Sequence, residues 1–178
     1  MVISNEKLLE IIPYQGVELE IVERPVVLWV GKLAAASNLT DEPEIGRLLD
    51  EYRRLIAVEK RALINPDWDA AISIDYWKPS GTARKSLMFA KETYSREQDA
   101  CYDLFEMPAS LFLRLKNDGN AARLIGKTSC ETYELFGFMM RTVMPQIGYA
   151  FHSNGAQEVE YCNHRLGLYY AYSPIVKV

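Results

Sequence analysis

The sequence predicts an α+β fold in which one β-α-β-β module is used twice, giving an antiparallel sheet with helices on one side and a ligand cleft between pseudo-twofold halves. Three observations predict it. The order strand, helix, two strands occurs once before residue 96 and again after residue 97. The segment Ile21 to Val30 lies over Leu104 to Leu113, so that Glu23, Pro25 and Leu28 meet Glu106, Pro108 and Leu111, each 83 residues on. The strand segments alternate apolar and polar side chains and so need cover on one face only, which leaves the other face for a cleft. A repeated order of elements points to duplication of a single unit.

Taken in order, residues 1–15 read as an N-terminal extension in which Lys7 to Ile12 form one or two amphipathic helical turns ended by Pro13. The domain covers 16–178, with halves of about 16–96 and 97–178. Val17-Glu18-Leu19-Glu20-Ile21-Val22 alternates with period two, Pro25 kinks the strand, and Val26 to Val30 is a continuous apolar run buried on both faces. Asn38 to Pro43, acidic and closed by proline, opens a helix of about five turns whose stripe is Ile45, Leu48, Leu49, Tyr52, Leu55 and Ile56. Two strands follow, Ala70 to Trp77 and Arg84 to Tyr94, joined through Pro79-Ser80-Gly81-Thr82. In the second half Thr128-Ser129-Cys130-Glu131 has the form of a capping box. It starts a helix with Tyr133, Phe136, Met140 and Val143 on its apolar stripe, ending at Met144-Pro145. A turn at Ser153-Asn154-Gly155 leads to the acidic strand Gln157 to Asn163 and then the tyrosine-rich strand Leu168 to Ile175.

Bulk composition narrows the function classes. A chain of 178 residues, 49% apolar and 25% charged, holds one sizeable ordered domain. Its net charge of −4 comes from 20 basic and 24 acidic side chains, and the basic ones are scattered. Direct nucleic-acid binding is therefore not expected, because a phosphate backbone finds no basic stripe. Cys101, Cys130 and Cys162 stand too far apart for a disulfide framework or a CxxC site, which fits a reducing, cytoplasmic setting. No stretch has the form of a signal peptide or the length of a membrane span.

The chemistry concentrates near the C-terminus. Along a strand Glu158, Glu160 and Cys162 share one face, and Val159 and Tyr161 the other, so two carboxylates sit side by side. A solvated outer face is the plain reading of such a pair. Candidate ring walls for a cleft around the acid are Tyr76, Trp77, Tyr94, Tyr149, Tyr170 and Tyr172, each of which core packing could equally explain. With 11 Tyr and 3 Trp, several are expected to line a shared cavity. Trp29 and Phe112, inside apolar runs, belong to the core. A carboxylate among rings favours a hydrophobic or planar cation, each ring face adding about 0.5–2 kcal/mol. Same-face neighbours on a strand lie about 6.6 Å apart, so Glu158, Glu160, Cys162 and His164 are not expected to hold a metal. There is no G-x-S-x-G elbow and no phosphate-cradling glycine loop. His152 reads as a turn residue, and no cofactor is expected.

These features together resemble the GyrI-like small-molecule-binding domain, the fold that also serves as the effector-binding domain of AraC-type and multidrug-sensing regulators. The resemblance rests on the two fused modules, Glu23 with Pro25 and Glu106 with Pro108, the segment Met144-Pro145-Gln146-Ile147-Gly148-Tyr149, and the late Glu158-Val159-Glu160-Tyr161. It covers about residues 16–178 and is to the stand-alone members, since no DNA-reading module precedes the domain. The family's cleft acid stands in an E-x-Y pattern that this chain lacks. Either Glu158 or Glu160 is the candidate: Glu160 sits mid-strand beside an aromatic, while Glu158 has the family's spacing after Gly148-Tyr149. The resemblance implies binding of hydrophobic, cationic drugs or dyes. It allows two alternatives: hydrolysis of strained cyclopropane-bearing molecules with Glu160 as general base, and inhibition of a protein partner of the DNA gyrase type.

Overall fold

Two proline corners give the sheet its shape. The computed structural model describes residues 5–35, 42–56, 62–79 and 85–178. Its strands are β1 (Lys7–Tyr14), β2 (Val17–Arg24), β3 (Val27–Ala35), β4 (Asp69–Ile74), β5 (Ser86–Thr93), β6 (Asp103–Met107), β7 (Ser110–Lys116), β8 (Tyr149–Phe151), β9 (Glu158–Asn163) and β10 (Leu168–Lys177). They form one antiparallel sheet in the order β1-β2-β7-β10-β9-β4-β5-β3-β6, with β8 added alongside β10. Equating β2, β3, β4 and β5 with β6, β7, β9 and β10 maps β2 through β6 onto itself in reverse, so the pseudo-twofold passes between β4 and β9. Each module gives one strand away: β2 pairs with β7 of the second half, and β6 with β3 of the first.

The corners then force curvature. β2 and β3 stand six places apart in the sheet, a distance of about 29 Å if it were flat at about 4.8 Å per strand. Only Pro25 and Val26 connect them, and such a link spans at most about 10 Å. Pro108 and Ala109 impose the same closure between β6 and β7. The sheet must curl, and a proline at each corner gives up no ladder hydrogen bond because it has no N–H to offer. This is the physical content of the repeated Glu-x-Pro.

Both helical layers lie on the convex face. Helix α1 (Glu42–Ile56) packs on β3 and β5. Asp118 caps the short α2 (Gly119–Leu124) by accepting from the amides of Asn120 and Ala121. Helix α3 (Thr132–Phe138) runs on through a π-helical turn, Met139–Val143, into α4 (Met144–Gln146). The face carrying Leu19, Ile21, Leu113, Leu115 and Ala171 meets Leu135, Phe136, Met139, Val143 and Met144 in one core. The concave face holds the other core, built around Trp29, Trp68, Phe112, Tyr161 and Tyr172.

Several local expectations are corrected. Residues 7–12 are a strand, not helical turns, since Gln15 (φ 47°) and Gly16 (φ 88°) make a tight hairpin turn that lays β1 against β2. A helix that short has little stability of its own, whereas β2 offers a full ladder. The capping box of α3 is Glu131 with Glu134, not Thr128 with Glu131. Its buried stripe is Leu135, Phe136, Met139 and Val143, while Tyr133 is 70% exposed. The helix ends at Gln146, one residue beyond the expected stop at Met144-Pro145. The wide turn before Pro145 lets the Met144 amide reach back five residues to Met139, opening the spacing where the proline ring would clash. The expected helix start at Asn38 to Asp41 and the turn through Ser80 to Arg84 lie outside the described residues.

Candidate ligand-binding groove

The strand β9 divides its chemistry cleanly between the two faces. Registers Ala71↔Glu160 and Ser73↔Glu158 put both acids on the convex face at the seam with β4. There α1 stands over β5 and leaves a cavity of about 290 Å³, walled by Leu49, Tyr52, Ile56, Ala71 and Phe89, with Arg53, Asp69, Lys91, Glu160, Cys162 and His164 supplying its polar groups. Stripe residues of α1 face inward because the helix repeats every 3.6 residues, so Leu49, Tyr52 and Ile56 fall on one side. Tyr52 lies near Phe89, 6.2 Å between centroids.

The polar groups around the cavity are largely spoken for. Tyr52 donates its hydroxyl to Asp69, and burial followed by the Asp69 charge pushes its pKa up. Lys91 pairs with Asp69 at 2.9 Å and donates to the carbonyls of Pro66 (2.7 Å) and Trp68 (3.1 Å), filling its three donor positions. Cys162 sits 3.4 Å from His164 Nε2 and donates to the Asp69 carbonyl at 3.5 Å. Burial, then the carboxylates of Glu160 and Asp69, pushes its thiol up to about 12, so the group is a neutral thiol at physiological pH and not a nucleophile. Glu160 is different. It is half-buried, and no hydrogen bond or ion pair engages its carboxylate among the described residues. Two residues away, Glu158 is 5% exposed and accepts a hydrogen bond from Ser173 at 3.3 Å. Burial outweighs that bond and raises its pKa to about 7. Among the described residues no cluster of His, Cys, Asp and Glu has the geometry of a metal site.

The rings expected around the acid are dispersed. Tyr170 and Tyr172 pair with Tyr161 and Val159, so they face the concave side, away from Glu160. Tyr172 is fully buried there, and Tyr170 lies over Trp68 at 6.0 Å. Tyr149 is buried on β8, its hydroxyl 3.4 Å from Glu10. Tyr76 and Trp77 sit on the turn after β4, partly exposed, with Trp77 against Phe151 at 5.5 Å. Tyr94 is 75% exposed. Trp29 and Phe112 are core, as expected. The cleft expected on the helix-free face is instead filled by aromatic side chains, and Glu160 lies on the helix side. Sequence reasoning missed Tyr52, Asp69 and Lys91 as groove residues. The α1 stripe gave a signal for Tyr52, but the Lys91–Asp69 pair needs the β4–β5 register to be seen.

The concave face is closed by charge as well as by rings. Arg24 lies 5.4–5.6 Å from the centroids of Trp29, Tyr161 and Tyr172 and is paired with Glu92, both side chains buried. Burial alone would lower the Arg24 pKa, and Glu92 with the two tyrosines more than reverses this.

The chain is thus a curled two-module antiparallel sheet with helices on its convex face and a groove at the β4–β9 seam. No protein-family model and no curated protein matches the chain. Solved structures do. The crystal structure of the EcmrR C-terminal domain superposes with a TM-score of 0.56 at 12% identity, over 91% of this chain and 99% of that one. An integron cassette protein from the mobile metagenome of Vibrio cholerae gives 0.51 at 8% identity, over 89% and 95%. A Staphylococcus aureus MU50 protein assigned to bacterial transcription regulation gives 0.51 at 12%, over 90% and 99%. Identities this low establish the fold alone, and the fold is consistent with the GyrI-like one expected from sequence. EcmrR is also known in complex with DNA, so the neighbours lend no support to the expectation that nucleic acid is not contacted. No described helix is long and apolar enough to cross a membrane.

Proposed function

We propose that this chain binds small hydrophobic cations in the groove between α1 and the β4–β9 seam, as an effector-binding module. The observation that carries the reading is the unengaged Glu160 carboxylate on an apolar-walled cavity of about 290 Å³. An unpaired carboxylate in a partly desolvated site attracts a cation more strongly than one in water, and the rings of Tyr52 and Phe89 add their negative faces. The volume lies at the small end of ligand pockets and fits a ligand of one or two rings. Calorimetric titration with benzyltrimethylammonium, its neutral isostere neopentylbenzene serving as control, tests it. Glu160→Gln should weaken the cation at least tenfold, about 1.4 kcal/mol, and leave the neutral compound unchanged. Equal weakening of both would sink the reading.

A second reading is hydrolysis of a strained cyclopropane, for which the sequence offers Glu160 as general base and burial favours Glu158 instead. A buried carboxyl with a pKa of about 7 has the basicity suited to taking a proton from water at neutral pH. Incubation with an activated cyclopropane and mass spectrometry for the water adduct decides it, and no turnover above buffer counts against.

A further inference from the structure

The concave face holds a second constellation that the groove does not use. Arg114 is fixed from one side by Glu20, which accepts from its Nε at 2.6 Å. Its guanidinium lies over the rings of Tyr170 (5.1 Å) and Tyr172 (5.8 Å). From its other side it donates to Glu6, and the Tyr172 hydroxyl donates to the second Glu6 oxygen at 3.0 Å. A planar guanidinium locked by an acid and two rings, with a phenol beside it, is a ready-made receptor for a carboxylate. Here the occupant is the chain's own Glu6, whose side chain is 4% exposed.

Two further observations mark the occupant as replaceable and the receptor as short of acceptors. Glu6 immediately precedes β1, an edge strand bonded only to β2, with a register shift between Leu8 and Glu10 and with Leu8, Leu9 and Ile11 46–48% exposed. Deeper in the same cluster, Arg24 Nε, Trp29 Nε1 and the Tyr161 hydroxyl are buried with no hydrogen-bond partner. Glu92 and Asn65 lie near that hydroxyl but outside hydrogen-bonding geometry. Buried donors without acceptors are costly, and an incoming ligand that accepts from them recovers the loss.

We propose that the concave face is a carboxylate-binding site in which Glu6 acts as a tethered ligand, displaced with β1 by an organic carboxylate carrying an aromatic or apolar body. Burial raises the pKa of Glu6 despite Arg114 and Arg24, in keeping with an occupant held at a cost. The site is on the opposite face from the cation groove, and it stands or falls independently of that reading.

The probe is 4-phenylbutyrate, with 4-phenylbutanol as the neutral control, titrated calorimetrically into the full chain and into Glu6→Ala. Removing the internal competitor should tighten the acid at least tenfold and leave the alcohol unchanged. No gain for the acid, or an equal gain for the alcohol, overturns the proposal. Should the variant not fold, amide exchange of the wild-type chain in excess 4-phenylbutyrate reads the same event. Exchange at Lys7–Tyr14 should quicken at least tenfold while α1 is unaffected, and unchanged exchange in β1 overturns the proposal.

Discussion

Glu160 and Tyr161 are consecutive residues of β9, and they belong to two different environments. On the concave side Tyr161 is wedged between Trp29 (5.8 Å, edge-on) and Trp68 (4.9 Å, stacked), under the guanidinium of Arg24. On the convex side Glu160 looks into a cavity with no partner for its charge among the described residues. The first region has already supplied its own cation and its own acid, Arg24 and Glu92, so a cationic ligand would have to evict an internal one. The second has the charge and the space but few rings. The lesson is that a high aromatic content and an unpaired acid can sit one residue apart and still make separate sites, because a strand sends neighbours to opposite faces.

The sharpest way to break that contrast is at Arg24. Arg24→Ala leaves Glu92 buried without its partner, and urea unfolding should show a loss of about 3–5 kcal/mol. Replacing both, Arg24→Met with Glu92→Leu, should recover most of it. If the single variant costs under about 1 kcal/mol, the concave face is wetter than described and the contrast fails.

Glu158 tests the convex side through pH. Its folded pKa, near 7, lies above the ordinary carboxylate value of 4.5, so the native state holds a proton that the unfolded state has released. Stability from this group is therefore greatest at low pH and is lost as pH rises through about 7, by about 3 kcal/mol at the limit. Glu158→Gln should remove that fall and unfold at a higher urea concentration than wild type at pH 8. No difference between the two at pH 8 would place the carboxyl in water.

Gly31 sharpens the picture of how tightly the curled sheet is closed. A Cβ at this position would stand 1.9 Å from the Phe89 carbonyl oxygen across the β3–β5 pair. Gly31→Ala should cost about 1–3 kcal/mol as the strands move apart, measurable by thermal unfolding. The smallest effect expected is on reactivity: with its thiol pushed up to about 12, Cys162 should alkylate with iodoacetamide at pH 8 long after the exposed Cys101. Mass-spectrometric peptide mapping orders the two.

Much of the architecture was legible before any coordinates. The 83-residue repeat marks the two corners, and period-two alternation places Glu158, Glu160 and Cys162 together and Tyr161 opposite. What the alternation cannot give is the parity between strands. Whether Tyr170 or Tyr169 shares a face with Glu160 depends on the turn between Asn163 and Leu168, and a shift of one residue there reverses every side chain. Tyr170 pairs with Tyr161, so the tyrosine-rich strand shows its most buried rings to the concave face. The β1 strand was missed because Leu8, Ile11 and Ile12 also fit helical spacing, and only the Gln15-Gly16 turn distinguishes the two. The contacts of Glu6 with Arg114 and of Arg24 with Glu92 bridge 108 and 68 residues of chain, and no local pattern announces such pairs.

The two faces can be read separately by methyl NMR during titration with benzyltrimethylammonium. Binding in the groove should shift the methyls of Leu49 and Ile56 on the convex side and leave Ile72 and Met88, buried in the concave core, in place. Shifts confined to Ile72 and Met88, with Leu49 and Ile56 silent, would contradict the assignment of the cation site to Glu160.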